Sequence, residues 1–197
     1  AVGAAPGKVI LFGEHAVVYG RPAVAAALSH GLGVVVDASA TAARLHVPRW
    51  GHSGLVVEAS SGNTRGSDSV TRAFIRALEL LGIETTAHIH VTIDGELPLG
   101  VGLGSSAAFS VALLRGLADY KNVALTDDTL RAYAHELESI FHGNPSGLDH
   151  SVIIQNECLR FHPSKAPHFS TIPMSSALPL VVAWTPRIGT TKDAVAH

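Results

Sequence analysis

The chain has 197 residues, of which 47% are hydrophobic and 15% charged, a composition typical of globular domains and unlike disordered or fibrous proteins. Fourteen Lys and Arg residues against sixteen Asp and Glu give a net charge of -2. Because the basic residues are scattered, the sequence argues against a nucleic-acid or anionic-membrane partner. The one cysteine, Cys158, has no partner for an internal disulfide, which favours a reducing compartment, and we expect the cytoplasm.

The apolar run over residues 16–36 has the length of a membrane span. Polar and helix-breaking residues interrupt it too often for that role, namely Arg21, Pro22, Ser29, His30 and three glycines. We therefore expect no membrane segment.

The first half of the chain predicts strands and one helix. Residues 8–12 (KVILF) and 23–29 (AVAAALS) flank a turn-prone stretch and predict an opening hairpin. Residues 32–39 and 53–60 predict two more strands. Residues 67–82 predict a helix, because apolar side chains recur at helical spacing before a closing glycine.

The second half of the chain also predicts both strands and helices. In residues 87–94 apolar and polar residues alternate, as in a half-buried strand, and the pattern of residues 105–120 predicts a helix. A further helix begins after Thr126, a typical cap followed by two aspartates in the first turn. Residues 158–161 and 178–184 predict strands. Because no repeat or linker divides the chain, we predict one α+β domain.

A glycine-rich loop precedes the helix at 105–120. Gly100, Gly102 and Gly104 leave backbone N–H groups free to converge on an anion, and two serines follow at the positive end of the helix dipole. The loop lacks the Lys of a Walker A motif, and the third glycine of a dinucleotide fingerprint would fall on Ser105. The loop alone leaves two interpretations open, a phosphate cradle and a tight strand-to-helix turn.

Three stretches together resemble the GHMP family of small-molecule kinases: PGKVILFGEHAVVYGRPAVAAAL (6–28), PLGVGLGSSAA (98–108) and HGNPSGLDHSV (142–152). The middle stretch is shared across the family, whereas the first and third are similar to its branch that phosphorylates mevalonate. The resemblance implies the family's α+β N-terminal domain, of the ribosomal protein S5 domain 2-like fold, with a mixed sheet packed with helices. It also implies ATP-dependent phosphorylation of the 5-hydroxyl of mevalonate, in isoprenoid biosynthesis.

The resemblance implies roles for individual residues. Asp149 acts on the substrate hydroxyl, as a base or as an electrostatic anchor, and Lys8 keeps it ionised and stabilises the attacking oxygen. Mg²⁺ would be held by Ser106 and by Glu138, which lies eleven residues before Asp149. The implied ATP-binding residues are Pro98, Gly100, Gly102, Leu103, Gly104, Ser105, Ser106 and Ala107.

The resemblance also implies a set of substrate-binding residues. Glu14, His15, Asp149 and Thr191 match positions that the family places against the substrate. The partners implied are ATP and mevalonate, without nucleic acid or membrane, and a homodimer is left open. No Cys and His spacing supports a zinc site.

The resemblance further predicts a domain over residues 1–183, with residues 184–197 beginning the connection to a C-terminal domain that this chain does not contain. Two alternatives stay open. One is another kinase of the family, such as a phosphomevalonate or homoserine kinase, and the other is a non-catalytic nucleotide-binding fragment.

Overall fold

The structure, a computed structural model, describes residues 1–50, 54–59 and 68–183. Its strands are β1 (Val2–Phe12), β2 (Ala23–Ala38), β3 (Arg44–Val47), β4 (Leu55–Glu58), β5 (Ile89–Gly95), β6 (Cys158–Phe161) and β7 (Phe169–Thr171). Its helices are α1 (Ser69–Leu80), α2 (Ser105–Tyr120), α3 (Asp127–His142) and α4 (Leu148–Gln155), with a 3-10 turn at Ala16–Tyr19. The predicted α+β class, a mixed sheet packed with helices, is confirmed.

The sheet is built around β2. Its neighbours run in the order β4-β3-β5-β2-β6-β7, and β1 pairs antiparallel with β2, which confirms the predicted hairpin. One edge of β2 pairs with β1 along its length, while β6 and β5 share the other edge. The sequence suggested two strands, at 23–29 and 32–39, where β2 is one. Pairing with β1 carries the strand through His30 and Gly31 between them.

Local signals explain the helices that the sequence predicted. The carboxylate of Asp68 accepts a hydrogen bond from the Thr71 N–H at 2.9 Å and caps α1. The hydroxyl of Thr126 accepts from the Thr129 N–H at 3.2 Å, so the predicted cap of α3 is confirmed. α2 begins at Ser105 and ends at Tyr120, as predicted, and packs against β1, β2 and α3.

Other elements differ from the sequence prediction. α4 was not predicted, because it is buried on nearly every side and shows no amphipathic period. The short strands β3 and β7 were also missed. The strand predicted at 178–184 is wrong for residues 178–183, which form no strand. Pro179 interrupts that run, and Val181 is 99% exposed, so the run buries too little apolar surface to act as a core strand.

The core has two parts. A large apolar cluster lies between the sheet and helices α1 to α3. A smaller cluster lies beneath α4, formed by Val17, Ala23, Ala25, Leu148, Val152, Leu159 and Phe161. Among the described helices, none has the length and apolar character needed to cross a bilayer.

Candidate active site

The glycine loop between β5 and α2 is packed against Lys8 at its inner end and exposed at its outer end. Gly104 has φ +72° and precedes α2 directly, and a Cβ at this position would lie 2.8 Å from Cγ of Lys8. Gly100 and Gly102 also have positive φ, but a Cβ on either would meet no atom within 4 Å. The exposed part of the loop therefore leaves backbone N–H groups that a phosphate could approach.

The remaining predicted ATP-binding residues divide by burial. Leu103 and Ala107 are buried in the main core, so only their backbone could meet a nucleotide. Pro98, Ser105 and Ser106 are partly exposed. The loop thus combines a fixed inner end, which packs on Lys8, with an accessible outer end.

Lys8 and Asp149 form an ion pair. A register shift between Pro6 and Lys8 interrupts the β1 ladder, and the Lys8 N–H donates to the Leu103 carbonyl at 2.9 Å. The Lys8 side chain is 5% exposed, and its Nζ lies 3.1 Å from Oδ1 of Asp149 in the first turn of α4. The structure thereby brings the two predicted catalytic residues together.

Ser106 and Glu138, the predicted metal ligands, also meet. The Ser106 hydroxyl donates to Oε2 of Glu138 at 3.3 Å, and the Ser110 hydroxyl, one turn later, donates to Oε1 at 3.5 Å. Glu138 is only 2% exposed. A hydroxyl and a carboxylate oxygen so close together suit a hard divalent cation.

The surroundings of Glu138 resist its ionisation. Burial, and secondly the negative charge of Asp149, raise the pKa of Glu138 to about 8, although hydrogen bonds from Ser106 and Ser110 and the charge of Lys8 act in the opposite direction. A bound cation would offset this cost. In the described part of the chain, no three His, Cys, Asp or Glu side chains form a metal-binding group, so external oxygens such as phosphates would have to complete the coordination.

The predicted substrate residues Glu14 and His15 lie in the turn after β1. Both are exposed, and His15 has φ +62°, an uncommon value for a residue with a side chain. Within the described residues, no hydrogen bond or ion pair joins either side chain to Lys8 or Asp149. Thr191 lies outside the described residues.

Two histidines at the site were missed by sequence reasoning. Nε2 of His142 lies 2.9 Å from Oγ of Ser106 and 3.9 Å from Oε2 of Glu138. Its position four residues after Glu138 could have indicated the proximity of these two side chains, but not the contact with Ser106. His150, beside Asp149, is 2% exposed and stacks edge-on against His135 with ring centroids 5.3 Å apart. Burial and the charge of His135 lower the pKa of His150 to about 4.

Comparison with known proteins places this geometry in a family. Residues 68–156, which carry the glycine loop, Ser106, Glu138 and Asp149, match the family model for the GHMP kinases N terminal domain. The mevalonate kinase of Thermococcus gammatolerans is 33% identical over 202 residues, covering 98% of this chain and 59% of that protein. Residues 68–156 thus have the GHMP kinase N-terminal domain. The chain spans about three-fifths of the length of the curated relatives it matches.

Solved structures agree with this GHMP kinase assignment. The crystal structure of Methanococcus jannaschii mevalonate kinase has a TM-score of 0.74 and 25% identity, covering 88% of this chain and 56% of that one. The Streptococcus pneumoniae phosphomevalonate kinase has a TM-score of 0.73 at 15% identity, over 100% of this chain and 66% of that chain. The second likeness shows the fold alone.

Proposed function

We propose that this chain supplies the catalytic groups of a kinase that transfers the γ-phosphoryl group of ATP to the 5-hydroxyl of mevalonate. The observation that carries the proposal is the proximity of the Lys8–Asp149 ion pair to the Ser106–Glu138 hydrogen bond. Lys8 packs on Gly104, two residues before Ser106, and the charges of Lys8 and Asp149 both act on Glu138. Phosphoryl transfer needs an oriented hydroxyl nucleophile and positive charge near the transferred group. Asp149 can orient the substrate hydroxyl, and Lys8 together with a cation held by Ser106 and Glu138 can supply the positive charge.

Asp149 and Lys8 act on the nucleophile. The Lys8 ammonium pairs with the Asp149 carboxylate at 3.1 Å, and this carboxylate can accept a hydrogen bond from the substrate hydroxyl. As the new oxygen–phosphorus bond forms and the bond to the ADP oxygen breaks, the hydroxyl proton passes to Asp149 or to water. Lys8 stabilises the negative charge that develops on the attacking oxygen.

Ser106 and Glu138 are the residues that would hold Mg²⁺. When bound, Mg²⁺ would neutralise the charge of the β- and γ-phosphates. The loop from Pro98 to Gly104 would hold the phosphates through its backbone N–H groups, aided by the N-terminal end of α2.

The remaining assignments complete the proposal. Glu14, His15 and Thr191 contribute to the substrate pocket, and residues 184–197 lead to a further domain that would close it. We place the enzyme in the cytoplasm, on the support of its lone cysteine. A homodimer stays a prediction.

The main alternative is a sister kinase with another acceptor. The fold does not separate the two, since a phosphomevalonate kinase and a mevalonate kinase match it with TM-scores of 0.73 and 0.74. Sequence favours mevalonate, because the relatives at 30–33% identity over 98% of the chain are mevalonate kinases. A non-catalytic module is disfavoured, since nucleotide binding alone requires neither Asp149 nor Lys8.

The test is ADP formation by the complete protein with Mg²⁺ and ATP, in the presence of mevalonate, phosphomevalonate or homoserine. We expect ADP release to depend on mevalonate. The variant Asp149→Asn should lower turnover by roughly 10²- to 10⁴-fold, the usual contribution of a general base, while the dissociation constant for ATP changes little. The exposed Asp37 provides the matched control, since Asp37→Asn should leave turnover unchanged.

Dependence of ADP release on phosphomevalonate or homoserine would establish the sister kinase instead. ATP binding without turnover on any acceptor would establish the non-catalytic alternative. Wild-type turnover by Asp149→Asn would remove this residue from the mechanism.

A further inference from the structure

His142 completes a chain of contacts that ends at the buried carboxylate of Glu138. It is the last residue of α3, one turn after Glu138, so the two side chains share one face of the helix. Its Nε2 lies 2.9 Å from Oγ of Ser106, whereas Ser106 belongs to a different helix. The imidazole thus joins the end of α3 to the start of α2 at the proposed metal site.

Hydrogen-bond counting sets the direction of this chain for an ionised Glu138, the form in which a carboxylate binds a cation. A serine hydroxyl has one proton to donate, and an ionised Glu138 can only accept, so Ser106 donates this proton to Oε2 of Glu138. The contact between His142 and Ser106 therefore requires the imidazole to donate from Nε2. In this arrangement a lone pair of Ser106 remains free, and its direction is set by the two neighbours.

We propose that His142 is a positioning residue for the divalent cation, acting through Ser106 and not as a ligand itself. The inference rests on the proposed function, which assigns Ser106 and Glu138 to the metal. A protonated Nε2 has no lone pair to offer an ion, so His142 contributes by holding the hydroxyl in the orientation that ligation needs. This role separates His142 from Ser110, which donates to Glu138 directly and does not contact Ser106 in the described hydrogen bonds.

The position of His142 makes the proposal testable without disrupting the fold. Its side chain is 48% exposed, so truncation opens no core cavity. His135 lies on the same helix, is also exposed and does not contact Ser106 in the described structure. His135→Ala is therefore the matched control for His142→Ala.

The experiment measures binding of Mn²⁺, as a spectroscopic substitute for Mg²⁺, to the complete protein saturated with ADP. Loss of an outer hydrogen-bond partner typically weakens metal binding by 10- to 100-fold, so His142→Ala should weaken Mn²⁺ binding by at least roughly tenfold. His142→Gln retains a side-chain N–H donor and should restore most of the affinity. His135→Ala should bind Mn²⁺ as the wild type does.

A double-mutant cycle separates positioning from general structural damage. In the Ser106→Ala background, His142→Ala should cause no further loss of Mn²⁺ affinity, because the hydroxyl on which it acts is gone. An equal loss in both backgrounds would overturn the proposal, as would wild-type affinity in His142→Ala. Nitrogen coupling in the Mn²⁺ spectrum would also overturn it, because the imidazole would then be a ligand.

The outcomes distinguish this inference from the proposed function. Mevalonate-dependent ADP formation together with unchanged Mn²⁺ affinity in His142→Ala would reject the role of His142 alone. Absence of Mn²⁺ binding to the wild type, or wild-type affinity in Ser106→Ala, would reject the metal site and with it this role.

Discussion

At the scale of single residues, two of the buried ionisable groups at the site, Lys8 and Glu138, have different surroundings. Lys8 is buried beside a carboxylate at 3.1 Å, so its charge has a counter-ion. Glu138 is buried with two hydroxyl donors, and burial and the negative charge of Asp149 raise its pKa to about 8. Asp149 therefore has a cationic partner in Lys8, whereas Glu138 accepts hydrogen bonds from two neutral hydroxyls. A bound cation would stabilise the ionised form of Glu138.

His150 gives a prediction for stability against pH. Its pKa is 6.5 in the unfolded chain and about 4 in the folded protein, so the unfolded state binds a proton first as pH falls. The stability that neutral His150 contributes is complete above pH 6.5 and is lost down to pH 4, by roughly 3 kcal/mol. Urea unfolding of His150→Phe, which keeps a ring against His135, should therefore show a weaker fall in unfolding free energy between pH 7 and 4.5.

The exposed His88 supplies the control for this prediction. His88→Phe should follow the pH dependence of the wild type. If the His150 variant loses unfolding free energy as steeply as the wild type over this range, His150 is not the group responsible.

At the scale of elements, Arg115 in α2 joins the two elements that carry the ion pair. Its Nη1 donates to the Ala4 carbonyl of β1 at 2.8 Å, and its Nη2 donates to the Ile154 carbonyl near the end of α4 at 3.3 Å. Partial burial lowers the pKa of the Arg115 guanidinium, which reflects the cost of removing this cation from water. The two hydrogen bonds fix α4 relative to β1, and thereby Asp149 relative to Lys8.

Replacing Arg115 by Met keeps the apolar stem and removes both hydrogen bonds. We expect a loss of roughly 1.5–3 kcal/mol in unfolding free energy, as for hydrogen bonds from a charged donor. Amide hydrogen exchange should increase most in α4, and turnover should fall more than the affinity for ATP. Arg72→Met, at an exposed position of α1, should change none of these; a uniform rise in exchange across all helices for Arg115→Met would contradict the local role.

The elements also show how far the sequence alone predicts the fold. α1 and α3 have caps and amphipathic faces, so their limits follow from local signals. α4 has neither, because neighbours surround it and no polar face remains. The run at 178–184 has the composition of a strand, but pairing depends on neighbours that composition does not reveal.

At the site too, some features follow from the sequence and others depend on how the elements pack. The family motifs named Lys8, Ser106, Glu138 and Asp149 by position in the chain, and the structure brings these residues together in two pairs. His142 lies within such a motif, yet its contact with Ser106 depends on how α3 packs on α2. Packing between helices is the part that local sequence patterns do not specify.

At the scale of the whole molecule, β2 connects the two apolar clusters. Its C-terminal part pairs with β5 above the main core, and its N-terminal part pairs with β6 at the smaller cluster beneath α4. The smaller cluster is therefore the support on which the helix carrying Asp149 rests. Defects there should affect both the stability of the fold and the placement of the site.

Phe161 tests this connection. It is 3% exposed, and its ring lies 3.5 Å from the position of a Cβ built on Gly147, the residue that precedes α4. Phe161→Ala should lower the unfolding free energy by roughly 3–5 kcal/mol, as large cavities in cores do, and should lower turnover at saturating ATP. Phe12→Ala removes the same atoms from a side chain that is 73% exposed, so its change should stay within about 0.5 kcal/mol. Equal losses of stability in the two variants would show that the cluster beneath α4 does not support the fold.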